Sequence, residues 1–113
     1  MATANPHEQG VLDLVHLARQ TFGDRALGQE LVTLLEQQCR CLMPVLSGGA
    51  RPERVDAAHT LKGAARAVGA WRLARVAERL EDALEGRAAE NLAGIVGDLE
   101  RAVRETRDAA ARL

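Results

Sequence analysis

Four residues spaced i, i+3, i+4 and i+7 carry the chemistry this chain can do: His59, Lys62, Gly63 and Arg66. On a helix those positions are neighbours on one face. Leu61 and Val68, with Ala57 and Ala64, fall on a different face, because successive residues advance by about 100°. The imidazole is therefore expected in solvent, between two cations and beside a helical position that has no side chain. Neutral imidazole is a competent nucleophile toward phosphorus through one ring nitrogen. Lys62 and Arg66 would stabilise phosphoryl oxygens as they arrive. Gly63 would leave a bulky partner room to reach the ring. Lys62 is also the only lysine among 15 basic residues, a compact ammonium in a chain that otherwise uses arginine.

The elements that must position this stretch read as helices throughout. Apolar residues Val11, Leu14, Val15 and Ala18 follow helical spacing over Gln9–Thr21, with Phe22 packed before Gly23. Asp24 is the expected N-cap of a second helix over Arg25–Leu46, whose core stripe is Leu27, Leu31, Leu34, Leu35, Leu42, Val45 and Leu46. Pro44 should bend or fray its last turn. Val32, Cys39 and Met43 form a flanking row, read either as further core or as an apolar docking patch for a partner. The break at Ser47–Arg51 leads to a third helix over Pro52–Val68, which carries His59. Gly69 makes a tight turn, so a fourth helix over Ala70–Glu85 is expected antiparallel to the third, with Leu73, Val76, Ala77, Leu80 and Leu84 inward. A fifth helix over Ala89–Arg112 would bury Leu92, Ile95, Val96, Leu99, Val103 and Thr106. Gly94 and Gly97 lie off its stripe without an evident reason. The fold class is all-α, an antiparallel four-helix bundle with an additional N-terminal helix. Residues 1–8 are expected to be a flexible tail and 9–113 a single domain.

Composition narrows the functions open to such a bundle. At 113 residues one core suffices, and it must be aliphatic, since Phe22 and Trp71 are the only aromatics. A formal net charge of -1 implies no bulk attraction to nucleic acid or acidic membranes. No apolar run approaches the ~20 residues of a membrane span, and the start lacks a signal pattern, so a cytoplasmic location is expected. Cys39 and Cys41 point about 200° apart on a helix and suit reduced thiols rather than a shared bond or metal. His7 and His16 are expected at the surface with no specific role, away from His59, so no metal site is foreseen. Neither nucleotide-binding glycine pattern is present.

The run His59-Thr60-Leu61-Lys62-Gly63, continuing through Gly69 and then Leu73 to Leu80-Glu81, resembles the signature of histidine-containing phosphotransfer (HPt) domains. The likeness of the helices extends over about 90 residues. Ala64-Ala65 departs from the small hydroxyl residues often found after the glycine. The resemblance implies a phosphocarrier, not an enzyme with its own ATP site, that moves a phosphoryl group between receiver-domain aspartates of a hybrid histidine kinase and a response regulator. By the same likeness His59 is the phosphoacceptor, Lys62 the phosphate-stabilising cation and Gly63 the clearance residue. Glu81 matches the position that hydrogen-bonds the other ring nitrogen, and it lies at the edge of the fourth helix's inner stripe beside Ala77. No cofactor is expected, with Mg²⁺ belonging to the partner receiver, and the chain is expected to be monomeric. The alternative is an adaptor that binds and sequesters a receiver without chemistry.

Overall fold

The computed structural model describes residues 10–89 and 91–112. The expected 1–8 tail and His7 lie outside the described residues. Five helices and no strands are found among them: α1 (Leu14–Gln20), α2 (Arg25–Gly48), α3 (Arg51–Val68), α4 (Trp71–Leu84) and α5 (Leu92–Ala110). None is long and apolar enough to cross a membrane. α2 packs against α3 and α5, α3 against α4, and α4 against α5, so the four long helices close a ring. α1 lies against α2 and α3. Ion pairs give the direction of two of these packings. Arg66 pairs with Glu78 while His59 pairs with Glu81, so partner numbers fall along α4 as they rise along α3. Arg72 with Glu105 and Arg79 with Asp98 do the same for α4 and α5.

Local chemistry sets the helix ends. Asp24 caps α2 as expected, its carboxylate accepting from the Leu27 amide at 3.1 Å. α2 runs past the expected stop at Leu46, through Pro44 to Gly48. The Leu46 carbonyl near its end accepts from Arg54 Nε at 2.9 Å, which satisfies an orphan acceptor of the last turn. α5 begins later than expected because Asn91 is its N-cap, bonded to the Ala93 amide.

Two expectations fail in the same way. The apolar residues of α1 point outward: Leu14 and Val15 are exposed and Phe22 is 96% exposed, while Leu17 is the helix's one buried residue. On α2, Leu27 and Leu34 are exposed whereas Val32 and Cys39 are buried. The buried sector of α2 is thus rotated by roughly a residue's step from the leucine-rich stripe. Burial also pushes the Cys39 thiol up to about 11, while Cys41 is exposed.

What fastens α1 is a polar latch. Asp13 caps it through the His16 amide at 3.0 Å, accepts from Trp71 Nε1 at 2.9 Å, and donates its own amide to the Gly69 carbonyl at 2.8 Å. His16, expected to be idle on the surface, donates from Nε2 to the Ala67 carbonyl at 3.0 Å and stacks edge-on against Trp71. Gly69 itself is required twice over. Its φ is +90°, and a Cβ there would come 3.0 Å from the His16 ring and 3.2 Å from the Asp13 carbonyl. The latch therefore fixes the α3–α4 turn, and with it the register that sets His59 against Glu81.

Candidate functional site

α3 buries Ala57, Ala58, Leu61, Ala65 and Val68 and leaves His59, Thr60, Gly63 and Arg66 outside, the division its spacing predicts. Facing it, α4 buries Ala74, Ala77 and Glu81. Small side chains on both helices let the backbones approach closely, so a carboxylate at the edge of the α4 stripe can reach the surface of α3. His59 is 69% exposed at its side chain, Lys62 17% and Glu81 7%.

Glu81 joins the other two. Nδ1–H of His59 donates to Glu81 Oε2 at 2.8 Å, and Lys62 Nζ donates to Glu81 Oε1 at 2.6 Å. Each carboxylate oxygen thus has its own donor, and no buried side-chain nitrogen or oxygen among the described residues lacks a partner. Burial alone would raise the Glu81 carboxyl. The hydrogen bonds from Lys62 and His59, with the charges behind them, outweigh it and hold the group below its ordinary 4.5. A carboxylate is an acceptor only, so the imidazole hydrogen sits on Nδ1 and the lone pair on Nε2. The nucleophilic atom of the exposed ring is therefore the nitrogen that does not face Glu81.

This arrangement has a consequence for stability. A carboxyl whose value is lower in the folded chain stabilises the fold above its unfolded value, and that contribution is lost as the pH falls through the folded value. At neutral pH, Glu81→Gln is expected to unfold at lower urea concentration than the parent. The gap between the two midpoints should begin to narrow as the pH drops below 4.5 and close as it falls through the lower folded value. A gap that stays constant down to acid pH would mean that the carboxylate contributes nothing through its charge.

Of the other sequence-derived site residues, Gly63 is exposed, and apart from its chain neighbours and its own helical backbone no heavy atom lies within 4 Å of where a Cβ would stand. Arg66 donates to Glu78 at 3.2 Å on the open surface, one turn from the His59–Glu81–Lys62 group and not joined to it. Two residues of the flanking row are core. Val32 and Cys39 lie in the core against Val103 and Thr106 of α5, and only Met43 is partly exposed, beside the same helix. What the sequence reading missed is the exposed pair Leu27 and Leu34, which counted as core because leucines outnumber other residues on that side.

A family model described as Hpt domain matches residues 23–112, most of the 113-residue chain. Comparison with curated proteins and with solved structures returned no match.

Proposed function

The chain belongs to the Hpt domain family, and from that premise we propose that it relays a phosphoryl group on His59 between receiver-domain aspartates, from a hybrid histidine kinase to a response regulator. Hpt domains are phosphocarriers in two-component phosphorelays and are not kinases. The observation that carries the assignment to His59 is the 2.8 Å bond from its Nδ1 to buried Glu81. That bond leaves Nε2 with the lone pair, on a ring held in one orientation. Nε2 attacks the phosphorus of a receiver's aspartyl phosphate, a P–N bond forms, and the P–O bond breaks with its electron pair leaving on the aspartate carboxylate. Nδ1 keeps its hydrogen, and Glu81 supports the positive charge that develops on the ring. Mg²⁺ belongs to the acidic pocket of the partner. The ring of α2 to α5, read as the antiparallel four-helix bundle, holds the site on two rigid helices. We read the protein as a monomeric cytoplasmic carrier.

The docking surface moves with the burial pattern. Glu36, Cys39 and Met43 mark the side of α2 that faces α5, where they share a groove with Val103 and Arg107. Leu27 and Leu34 lie on the other flank of buried Leu35, toward α3. Counting along both helices from the Leu46–Arg54 bond brings Leu34 abreast of Arg66, about two turns from His59. We place receiver docking on this exposed apolar flank, on Leu34 and, about two turns further along α2, Leu27, in place of Val32, Cys39 and Met43. Leu34→Asp is expected to weaken the complex with a phosphorylatable receiver about tenfold, as loss of one apolar anchor does. Its circular dichroism should not change, since the side chain is exposed. Titration calorimetry reads the affinity, and unchanged binding would take the docking surface off this flank.

The relay itself is tested by mixing the protein with each phosphorylated receiver of its source organism. Transfer of an acid-labile, alkali-stable phosphoryl group to this chain is the expected result. A stable receiver complex with no transfer would favour the adaptor reading instead.

A further inference from the structure

Asp56 stands one helical turn before His59, on the same outer side of α3. Positions three apart on a helix bring their Cβ atoms to about 5–6 Å. Lys62 at i+3 and Asp56 at i−3 turn about 60° to opposite sides of the ring. The lysine side faces α4, where its ammonium bonds Glu81. Asp56 therefore borders the other side, to which open Gly63 at i+4 also turns. The cations of this face are matched, Lys62 by Glu81 and Arg66 by Glu78. Asp56 is exposed, and among the described residues its carboxylate has neither an ion pair nor a hydrogen-bond partner. Arg51 lines a surface depression with Asp56, but it lies about 12 Å along the helix from His59, beyond a screening length. The uncompensated charge beside the nucleophile is thus negative and belongs to one side chain.

We propose that Asp56 keeps the phosphorylated form of His59 high in free energy, so that the phosphoryl group passes on to a receiver and is not stored on this chain. The role rests on His59 being the phosphoacceptor. Phosphorylation puts an anionic group on Nε2, on the open side of the ring, within a helical turn of the Asp56 carboxylate. Like charges at that separation repel, and the cations of the face already have partners. In the onward step the P–N bond breaks with its electron pair returning to Nε2, and an aspartate oxygen of the receiver forms the new P–O bond. That step relieves the repulsion, and the reverse step restores it.

The test is the equilibrium between this chain and one phosphorylated receiver, read as the ratio of label on the two proteins. With both kept well below their binding affinity, the ratio compares free species, so docking contacts made by Asp56 do not enter it. At low salt Asp56→Asn, an isosteric surface change, should shift the ratio about threefold toward this chain, the size expected of one exposed charge pair. Asp56→Glu should keep the parental ratio. In about 1 M salt, where screening is strong, the parent and Asp56→Asn should converge. A ratio unchanged at low salt, or a shift that survives high salt, would overturn the proposal. A second measurement uses no receiver. With phosphoramidate as donor and ammonia in excess, phosphorylated His59 is read in ³¹P spectra whose signal is assigned with His59→Gln. Its ratio to the unphosphorylated form should rise in Asp56→Asn by the same factor, and equal ratios would also overturn the proposal. If the shift appears with phosphoramidate but no receiver labels the chain, the relay reading fails and the effect of Asp56 stands.

Discussion

His59→Gln is expected to abolish phosphorylation while leaving the protein folded and able to dock a receiver. Glutamine is a good helix former, and the replaced side chain is mostly exposed, so the backbone has no reason to move. The amide can still offer an N–H toward Glu81, which keeps that carboxylate from losing a donor. Stability should stay within about 1 kcal/mol of the parent, measured by urea unfolding. What goes is the Nε2 lone pair, and no other described side chain lies bonded within the group to replace it. The expected loss is complete by labelling, where removing a supporting residue costs only about tenfold to a hundredfold. Receiver affinity by calorimetry should hold within about a factor of three, since the anchors proposed on α2 are untouched. Equal labelling of His59→Gln would overturn the assignment. Binding retained by both proteins, with neither labelled, would leave the adaptor.

That contrast in size, complete against partial, reflects how the site divides between what a sequence exposes and what it hides. The split of α3 into a buried alanine–leucine side and an outer side with His59 and Gly63 follows from spacing, and the structure keeps it. Glu81 was legible through the family resemblance, which matches it to the position that bonds the other ring nitrogen, and its place at the edge of the α4 inner stripe agrees with the bond found. The direction of the Lys62 side chain was not legible. A face of a helix says which way a stem starts, and only the partner helix decides where a long flexible side chain ends.

The same limit explains the two misread helices. α2 touches both α3 and α5, so apolar residues cover a wide sector of it, and counting leucines placed the centre of that sector one step off. Val32 and Cys39 are inside because α5 covers them, which nothing local to α2 reveals. α1 is a seven-residue helix fastened by Asp13 and His16 to residues more than fifty positions away. Its apolar periodicity, which pointed inward on paper, was outweighed by those polar bonds. Short helices are held by their partners and not by their own pattern.

Gly63 is where stability and transfer should move in opposite directions. The position lies inside α3 with ordinary helical backbone, and a Cβ there would meet nothing within 4 Å. The fold alone has no use for a glycine at this point, and glycine costs a helix about 1 kcal/mol relative to alanine. Gly63→Ala should therefore raise stability by about that amount in urea unfolding. Gly97 provides the control, being equally open on α5, a helix that belongs to the other side of the ring. Gly97→Ala should give the same gain with transfer unchanged. At Gly63 a longer side chain, one helical turn from His59, would lie over the approach to the ring. Gly63→Gln should remain as stable as the parent or more so, yet slow transfer about a hundredfold, the cost of holding reacting groups roughly 1 Å out of place. If Gly63→Gln accepts phosphoryl groups at the parental rate, the opening beside His59 is not the route by which a receiver's aspartyl phosphate arrives. A loss of rate accompanied by a loss of stability would instead trace the glycine to the fold, against the open space that surrounds it.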